Sequence, residues 1–535
     1  MTSEPRAFLA LDRGAATTVA ALIGRAGGRW RLVGSVAMPA GADLEAVITI
    51  LGDRVVDADP RLAAALDVHR GEAARDLPRL EVSSHKPRKL AVVAASERVV
   101  EPLVATASRS GWRTVAGSAE TVDPLVMSTM LLDSDVTGIL VGAADPPAAD
   151  ERRALGELTA LIAAVAQRRP ELAIILSGGM AEHLGAFGDV GARPGEVMLG
   201  PAVQRGQPGG PLADLLIELA LPPYDARRAL GAGAVALAEV LDRRVDVVEI
   251  GFDGGARVAA SPGVGGGAPS LELAVVPTAG LAPAEPDDGV IDRVSMWSTM
   301  GADRHRLRDR MRELRVAPWA DAMGEGATLR MAAARAALGR LADWTTDWDD
   351  RPAADLVVAT GGVWAITPAP TIALALEDVL RRDGTCQFAL DHARILGPLG
   401  SIPDVDERRA MVLDLVDDLL APLGTFVTPA GMRPGRSAGS VVIHATGGSS
   451  QLDLMPGGLA LVDLPPGTSA VAEFRFRDRV RLGGRGHHFA IDVTGGLAGL
   501  VLDLRDVPLK LPDRADLRGE LLEAWQTLLV TGSER

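Results

Sequence analysis

The chain lacks the residues that several common kinds of site need. Among its 535 residues there is a single cysteine, Cys386, which excludes an intramolecular disulfide and a multi-thiolate zinc or iron–sulfur site. There are three lysines, Lys86, Lys89 and Lys510, and none of them follows a glycine-rich loop. A P-loop needs a lysine there to reach the phosphates of its nucleotide, so a Walker-type NTPase is excluded.

Long apolar runs and excess positive charge are also missing. No run reaches the roughly 18 apolar residues needed to cross a bilayer, and residues 1–5 hold no basic region leading into an apolar stretch. The 70 acidic residues outnumber the 55 lysines and arginines, for a net charge of −15. Nucleic acids and anionic membranes recruit proteins through a positive field, so we expect neither as a partner. We expect a cytoplasmic protein.

The first 240 residues alternate strand-like and helix-like patterns. Short apolar runs typical of strands occupy residues 7–11, 17–23, 30–36, 90–94, 138–141 and 173–176. Before the last of these, an apolar stripe at helical spacing is formed by Leu155, Leu158, Ile162 and Val165. This alternation predicts an α/β domain with a largely parallel sheet.

An acid-x-glycine motif occurs twice, each time at the end of a strand-like run. The first copy comprises Asp12, Gly14, Thr17 and Thr18; the second, in which the acid comes 237 residues later, comprises Glu249, Gly251, Gly254 and Gly255. Such turns are common, and each is also compatible with a plain turn. The functional interpretation is phosphate binding, because glycine lets the backbone approach closely, amides and hydroxyls donate to phosphate, and a carboxylate can hold hydrated Mg²⁺. Asp12 and Glu249 would then face each other across a cleft and share the metal through water.

A third glycine turn follows the buried run at residues 356–360. Gly361 and Gly362 end this run, and a helical pattern covers residues 371–380. A strand, a Gly-Gly turn and a helix can let the backbone lie flat against a purine and its ribose. Alternatively, the two glycines only turn the chain.

The pattern changes near residue 423, where short strands separated by Gly/Pro turns begin. We therefore expect two α/β lobes, residues 1–243 and 244–422, an all-β domain at 423–512, and a helix with a tail at 513–535. The β domain is the expected docking site for a protein partner.

Several segments together resemble the MutL (GlmL) proteins encoded beside glutamate mutase, within the actin/Hsp70/sugar-kinase (ASKHA) fold. Residues 11–18 are similar to that family's D-x-G-S-x-T-T-K start, and residues 142–145 to its G-G-T-D segment. The most specific match is residues 361–363 with Asp391 and the segment 397–400; the ending at 495–512 resembles the β domain of longer relatives.

The resemblance implies a duplicated, two-lobed, RNase H-like fold with a small all-β domain appended at the C-terminal end. It also implies an ATP- and Mg²⁺-binding accessory protein, a chaperone or reactivating factor for an adenosylcobalamin-dependent mutase. The chain departs from the family pattern at its phosphate loops. Ala15 replaces a hydroxyl residue, Val19 replaces a lysine, and residues 249–256 lack both threonines and the last acid. Loss of one charge-stabilising donor typically costs about 10²–10³ in rate, so efficient hydrolysis is not expected.

Three functions remain open on the sequence. The first is a pseudo-ATPase scaffold with a degenerate nucleotide cleft, and the second is an active ATPase using Asp12 and Glu249 on Mg²⁺. The third is a small-molecule kinase of the same fold, for which no catalytic acid can be assigned. The first is favoured narrowly over the second.

Overall fold

The protein is described by a computed structural model, which covers residues 6–70, 77–149, 151–187, 197–203, 209–263, 265–283, 286–299, 303–317 and 324–533. It is a mixed α/β structure in which helices connect and cover several β-sheets. Residues 1–5, which bear on the expected absence of a leader, lie outside the described residues. Within the described part of the chain, no helix combines the length and the apolarity needed to cross a membrane.

The N-terminal sheet has the strand order β3-β2-β1-β4. Its strands are β1 (Ala7–Arg13), β2 (Thr17–Ala26), β3 (Arg29–Pro39) and β4 (Arg79–Ser83), with helices α1 (Leu44–Ala58) and α2 (Pro60–Ala65) before β4. The first three strands are antiparallel, and β4 runs parallel to β1. In β1, Leu9 and Leu11 pack under α1, whereas Phe8 and Ala10 face the opposite side. Both faces are buried, which explains the continuous apolar run.

A separate five-stranded parallel sheet, here called the insert, follows β4 and has the order β6-β5-β7-β8-β9. Its strands are β5 (Arg88–Ala94), β6 (Trp112–Ser118), β7 (Val136–Ala143), β8 (Ala173–Gly178) and β9 (Val197–Gly200); its helices are α3 (Glu97–Ser108), α4 (Pro124–Leu132), α5 (Glu151–Arg168) and α6 (Pro211–Ala220). The sequence runs at 90–94, 138–141 and 173–176 therefore form a sheet of their own rather than extending the N-terminal one.

Among the described residues, main-chain hydrogen bonds connect the insert to the rest of the molecule at two places. At its entry and exit, the Ser83 amide donates to the Tyr224 carbonyl (3.1 Å), and His85 Nδ1 lies 3.0 Å from Asp225 Oδ2. At the second place, Gly111 donates to the Val275 carbonyl, and the Val275 amide donates to Arg109, each at 2.8 Å.

The central sheet has eight strands in the order β12-β11-β10-β13-β14-β15-β21-β18. Their bounds are β10 (Val245–Ile250), β11 (Gly255–Ser261), β12 (Ser270–Val276), β13 (Leu356–Thr360), β14 (Gly384–Asp391), β15 (Leu420–Thr428), β18 (Leu459–Val462) and β21 (Leu500–Asp503). Strands β10, β11 and β12 are antiparallel, and β13 is parallel to β10. The first four strands thus have the order and the directions seen in the N-terminal sheet.

Helices flank the central sheet and join it to the N-terminal sheet. They are α7 (Ala226–Leu241), α8 (Asp288–Trp297), α9 (Arg304–Val316), α10 (Gly324–Asp343), α11 (Ala369–Leu380), α12 (Leu396–Gly400) and α13 (Val405–Leu419). Helix α7 lies between the two sheets and packs on α12. A Cβ on its Gly233 would lie 2.3 Å from the Leu396 carbonyl oxygen, so this close approach explains a glycine within a helix.

The C-terminal strands are divided between two sheets. Strands β16 (Gly439–Ala445), β17 (Gly448–Leu454), β19 (Ser469–Arg481) and β20 (Arg485–Thr494) form an antiparallel sheet, whereas β15, β18 and β21 extend the central one. The boundary expected at residue 423 falls within β15. Helix α14 (Ala515–Ser533) places Leu522 and Trp525 in the same core as α10 and α11.

Candidate functional site

The ends of β1, β10 and β13 meet at a cleft between the N-terminal and central sheets. A cavity of about 210 Å³ lies there. Its lining includes seven of the ten residues that the sequence predicts for a nucleotide site: Asp12, Gly14, Thr17, Glu249, Gly251, Gly361 and Gly362. Thr18, Gly254 and Gly255 do not line the cavity. Thr18 is buried on β2, and the Gly254 carbonyl accepts the Gly251 amide (2.9 Å) to close the second turn.

The glycine turns bring the two halves of the cleft into close contact. A Cβ on Gly362 would lie 2.6 Å from Thr17 Oγ1 and 3.3 Å from Arg394 Nη1. A Cβ on Gly14 would lie 3.0 Å from the Thr17 carbonyl oxygen and 3.3 Å from Arg394 Nη2. Any side chain at Gly362 would therefore displace the groups that line the first turn.

Arg394 fills the space beside the first turn. Its Nε donates to Asp12 Oδ2 (2.6 Å), its Nη2 donates to the Asp12 carbonyl oxygen (3.2 Å), and its Nη1 contacts the Thr17 hydroxyl. The residue is 5% exposed and has φ of +52°. A non-glycine residue in the left-handed region costs roughly 1–2 kcal/mol, and such strain is typical of functional positions.

Arg227 plays the corresponding part beside the second turn. This buried residue on the first turn of α7 donates from Nε to Glu249 Oε2 (3.0 Å). The other oxygen, Oε1, lies 2.6 Å from where a Cβ on Gly251 would stand, so the carboxylate leans over the turn. Burial raises the pKa of Glu249 above its usual value, and the Arg227 charge offsets only part of that rise.

Asp391, at the end of β14, supports the loop that carries Arg394. It accepts hydrogen bonds from the Ile395 amide (3.0 Å), the Leu396 amide (3.3 Å) and the Thr360 hydroxyl (3.1 Å). Burial nevertheless raises its pKa to about 6. Asp391 therefore fixes the start of α12, and with it the position of the guanidinium in the cleft.

The arrangement of the two acids does not fit the Mg²⁺ site that the sequence predicts. Each of Asp12 and Glu249 has a guanidinium nitrogen within 3.0 Å. A divalent cation on the same carboxylates would face that positive charge at close range, which is strongly repulsive in a low-dielectric cleft. Among the residues that the structure describes, no group of three His, Cys, Asp or Glu side chains is placed to hold a metal ion.

Arg227 and Arg394 are not among the residues that the sequence predicts for the site. Arg394 lies between Asp391 and the segment 397–400, both of which carry the family resemblance, so the resemblance could have indicated this residue. Arg227 follows Asp225, the capping residue of α7, and nothing in the local pattern marks it. Both pairs depend on tertiary contacts, and Arg394 and Asp12 are 382 residues apart.

Comparisons with known proteins leave the family open. No family model matches the chain, and no curated protein does. Similar solved structures include a nucleotide-free acetone carboxylase (12% identity, 74% of this chain and 69% of that one, TM-score 0.28). Component A of the Acidaminococcus fermentans (R)-2-hydroxyglutaryl-CoA dehydratase has 9% identity over 75% of this chain and 98% of its own, with a TM-score of 0.26. A Lactobacillus acidophilus xylulose kinase has 11% identity, 76% and 92% coverage, and a TM-score of 0.27. Scores this low carry no argument about function, and membership of the MutL (GlmL) family stays a prediction.

Proposed function

We propose that the chain is a two-lobed, actin-like protein whose cleft binds the phosphates of a nucleotide through arginines instead of Mg²⁺, and that it acts as a pseudo-ATPase scaffold. The single observation that carries the proposal is the pairing of both cleft acids with buried arginines, Asp12 with Arg394 and Glu249 with Arg227. The repeated order of the first four strands in the N-terminal and central sheets supports a duplicated fold.

Arginine suits this role because its planar fork binds phosphate oxygens bidentately and stays charged. Val19, where the resembled family has a lysine, lies directly opposite Asp12 in the β1–β2 pair. Cross-strand partners share one face, so a cation from Val19 would stand near Asp12. In this chain the cation beside Asp12 is Arg394, from the loop between β14 and α12. Because Arg394 replaces the lysine of the resembled family, the cleft still attracts phosphate.

The presence of arginines where a metal ion would bind disfavours hydrolysis. A metal ion stabilises the charge that develops during phosphoryl transfer and orients the phosphates. In this cleft the carboxylates that would position it are already hydrogen-bonded to guanidinium groups. Nucleotide binding would therefore act by holding the two halves of the cleft together, which is how hinge closure turns a ligand into a change of shape.

A scaffold needs a partner surface, and we assign it to the antiparallel sheet of β16, β17, β19 and β20. Along residues 469–476, strand β19 alternates between buried positions and positions that are exposed or, at Glu473, half-buried, so one face covers the core and the other faces solvent. A partner protein would dock on that outer face.

Calorimetric titration with ATP, with and without Mg²⁺, tests the cleft. We expect micromolar binding that does not require Mg²⁺, and its loss in Gly362→Asp, whose Cβ would meet Thr17 Oγ1 at 2.6 Å. Gly156→Asp is the matched control, since a Cβ there, on α5, has nothing within 4 Å. Thermal midpoints of both variants check that they fold.

Two outcomes contradict the proposal. Binding that requires Mg²⁺, with hydrolysis, would favour the active ATPase, a reactivating factor for an adenosylcobalamin-dependent mutase, or a kinase if phosphate reached a small molecule instead of water. No heat at millimolar ATP would exclude nucleotide binding.

A further inference from the structure

A second cavity, here called the annex, opens beside the cleft. Its volume is about 660 Å³, against about 210 Å³ for the cleft itself. The two cavities share Lys86, Phe252 and Asp253. The other walls of the annex come from the start and strand β6 of the insert, the segment after β12, and helices α8, α9 and α10. Pockets of roughly 300–1,000 Å³ are typical of small-molecule sites.

The annex is lined mainly by cations, although the chain as a whole is acidic. The lining holds five basic side chains, Lys86, Arg113, Arg293, Arg315 and Arg340, and three acidic ones, Asp253, Asp287 and Asp343. Arg315 pairs with Asp253 at 2.8 Å, and Arg293 pairs with Asp343. Within the described parts of the chain, neither Lys86 nor Arg113 forms an ion pair. Positive charge therefore exceeds negative charge in the annex.

Arg340 shows most directly that negative charge is missing. It is 8% exposed; Nε donates to the Thr278 carbonyl and Nη2 to the Gly280 carbonyl, both at 2.7 Å. Its Nη1 is buried and has no hydrogen-bond partner among the described residues. Burial, followed by repulsion from Arg293, lowers the pKa of Arg340 to about 10. A buried donor left unsatisfied costs free energy, which an incoming acceptor would recover.

We propose that the annex binds the oxyanion, a carboxylate or a phosphate, of an acidic small molecule that is distinct from the nucleotide. Arg340 Nη1 donates to that oxyanion from the inner wall, and Lys86 and Arg113 neutralise it from the insert side. This site goes beyond the proposed function, because none of Arg113, Arg293 and Arg340 lines the cleft.

The test is calorimetric titration with citrate and, separately, with inorganic phosphate at constant ionic strength. We expect one of the two to bind in the annex, and the probe whose binding the annex variants below weaken identifies the oxyanion as a carboxylate or a phosphate. Arg113→Met should weaken that binding about tenfold, because a charge-assisted contact is lost. Arg340→Met should abolish it. Should Arg340→Met fail to fold, Arg113→Met, which changes an exposed residue, still decides the question.

Two control variants separate the annex from the cleft and from general charge. Arg394→Met should leave citrate binding unchanged while nucleotide binding is lost, and any phosphate binding that disappears in this variant belongs to the cleft. Arg153→Met removes an exposed cation of α5, paired with Glu157, and should change neither. The proposal is overturned by three results: no binding of either probe at millimolar concentration, binding insensitive to Arg113→Met, or equal weakening in Arg113→Met and Arg153→Met.

Discussion

Two of the sets of buried arginine–carboxylate pairs differ in their surroundings: one borders the cleft and one is enclosed in the core. The cleft pairs are Asp12–Arg394 and Glu249–Arg227, with side chains 4–16% exposed. The enclosed set, here called the sealed network, has side chains at most 6% exposed and consists of Arg335, Asp378, Arg381, Asp503 and Arg505.

The difference lies in what surrounds each set. In the sealed network, Arg505 bridges Asp378 (2.7 Å) and Asp503 (2.6 Å), and the Trp525 ring of α14 covers its guanidinium at 4.4 Å. The cleft pairs each face a cavity instead. The same chemistry therefore fixes helices α10, α11 and α14 to the sheet in one place and leaves charge accessible to a ligand in the other.

Removing the centre of the sealed network should have the largest effect. Arg505→Met leaves two carboxylates buried without their main partner, and breaking such a set typically costs about 3–5 kcal/mol. Chemical denaturation of the variant would measure the loss in the free energy of unfolding. Arg153→Met, at an exposed pair, serves as the control and should show no measurable change. If the loss in Arg505→Met were no larger than in that control, the sealed network would not be the stabilising element that we describe.

A carboxyl beside the sealed network should make stability depend on pH. Burial, together with the Asp503 charge, raises the pKa of Glu377 to about 8. The folded state therefore holds its proton while the unfolded chain releases it near pH 4.5, so this stabilisation is lost as pH rises through about 8. Between pH 5 and 8 we expect a decrease of roughly 2–4 kcal/mol.

Glu377→Gln isolates that contribution. The amide oxygen can still accept from the Thr428 hydroxyl, which donates to Glu377 Oε1 at 2.8 Å. Denaturation midpoints measured across the same pH range should fall less steeply in the variant. Parallel pH profiles of the two proteins would show that Glu377 is ionised in the folded state.

The smallest of these effects on stability should follow removal of Arg394. In Arg394→Met, Asp12 loses its partner, but it borders the cleft, where water can hydrate it. We expect a loss of about 1–2 kcal/mol, below that of Arg505→Met. Chemical denaturation of both variants in one buffer measures the two losses in the free energy of unfolding. A larger loss in Arg394→Met than in Arg505→Met would contradict the prediction.

The sequence predicts the acids and glycines of the cleft, but not the arginines that set its charge. Asp12, Glu249 and Gly362 each follow a strand-like run, and local patterns were sufficient to bring them into one predicted site. The arginine partners could not be predicted in this way, because their positions depend on contacts between distant segments. The expectation of Mg²⁺ at Asp12 and Glu249 did not take account of the guanidinium groups that are hydrogen-bonded to both carboxylates.

The same limit applies to the sheets. Alternating patterns predict β5, β7 and β8 of the insert and its helix α5, but pairing partners are not encoded locally. Strand β21, for example, pairs with β15 in parallel, about 75 residues away along the chain. A C-terminal segment that is all strand by composition is therefore shared between two sheets.

The two attachments of the insert determine which of its motions are possible. A motion of the insert that keeps both attachments intact is a rotation about the line that joins them. Lys86 directly follows His85 at the first attachment, and Arg113 comes two residues after Gly111 at the second. Both cations therefore sit almost on the axis. Swinging of the insert would carry its far strands, β8 and β9, through the widest arc while the spacing between these cations and Arg340 hardly changes.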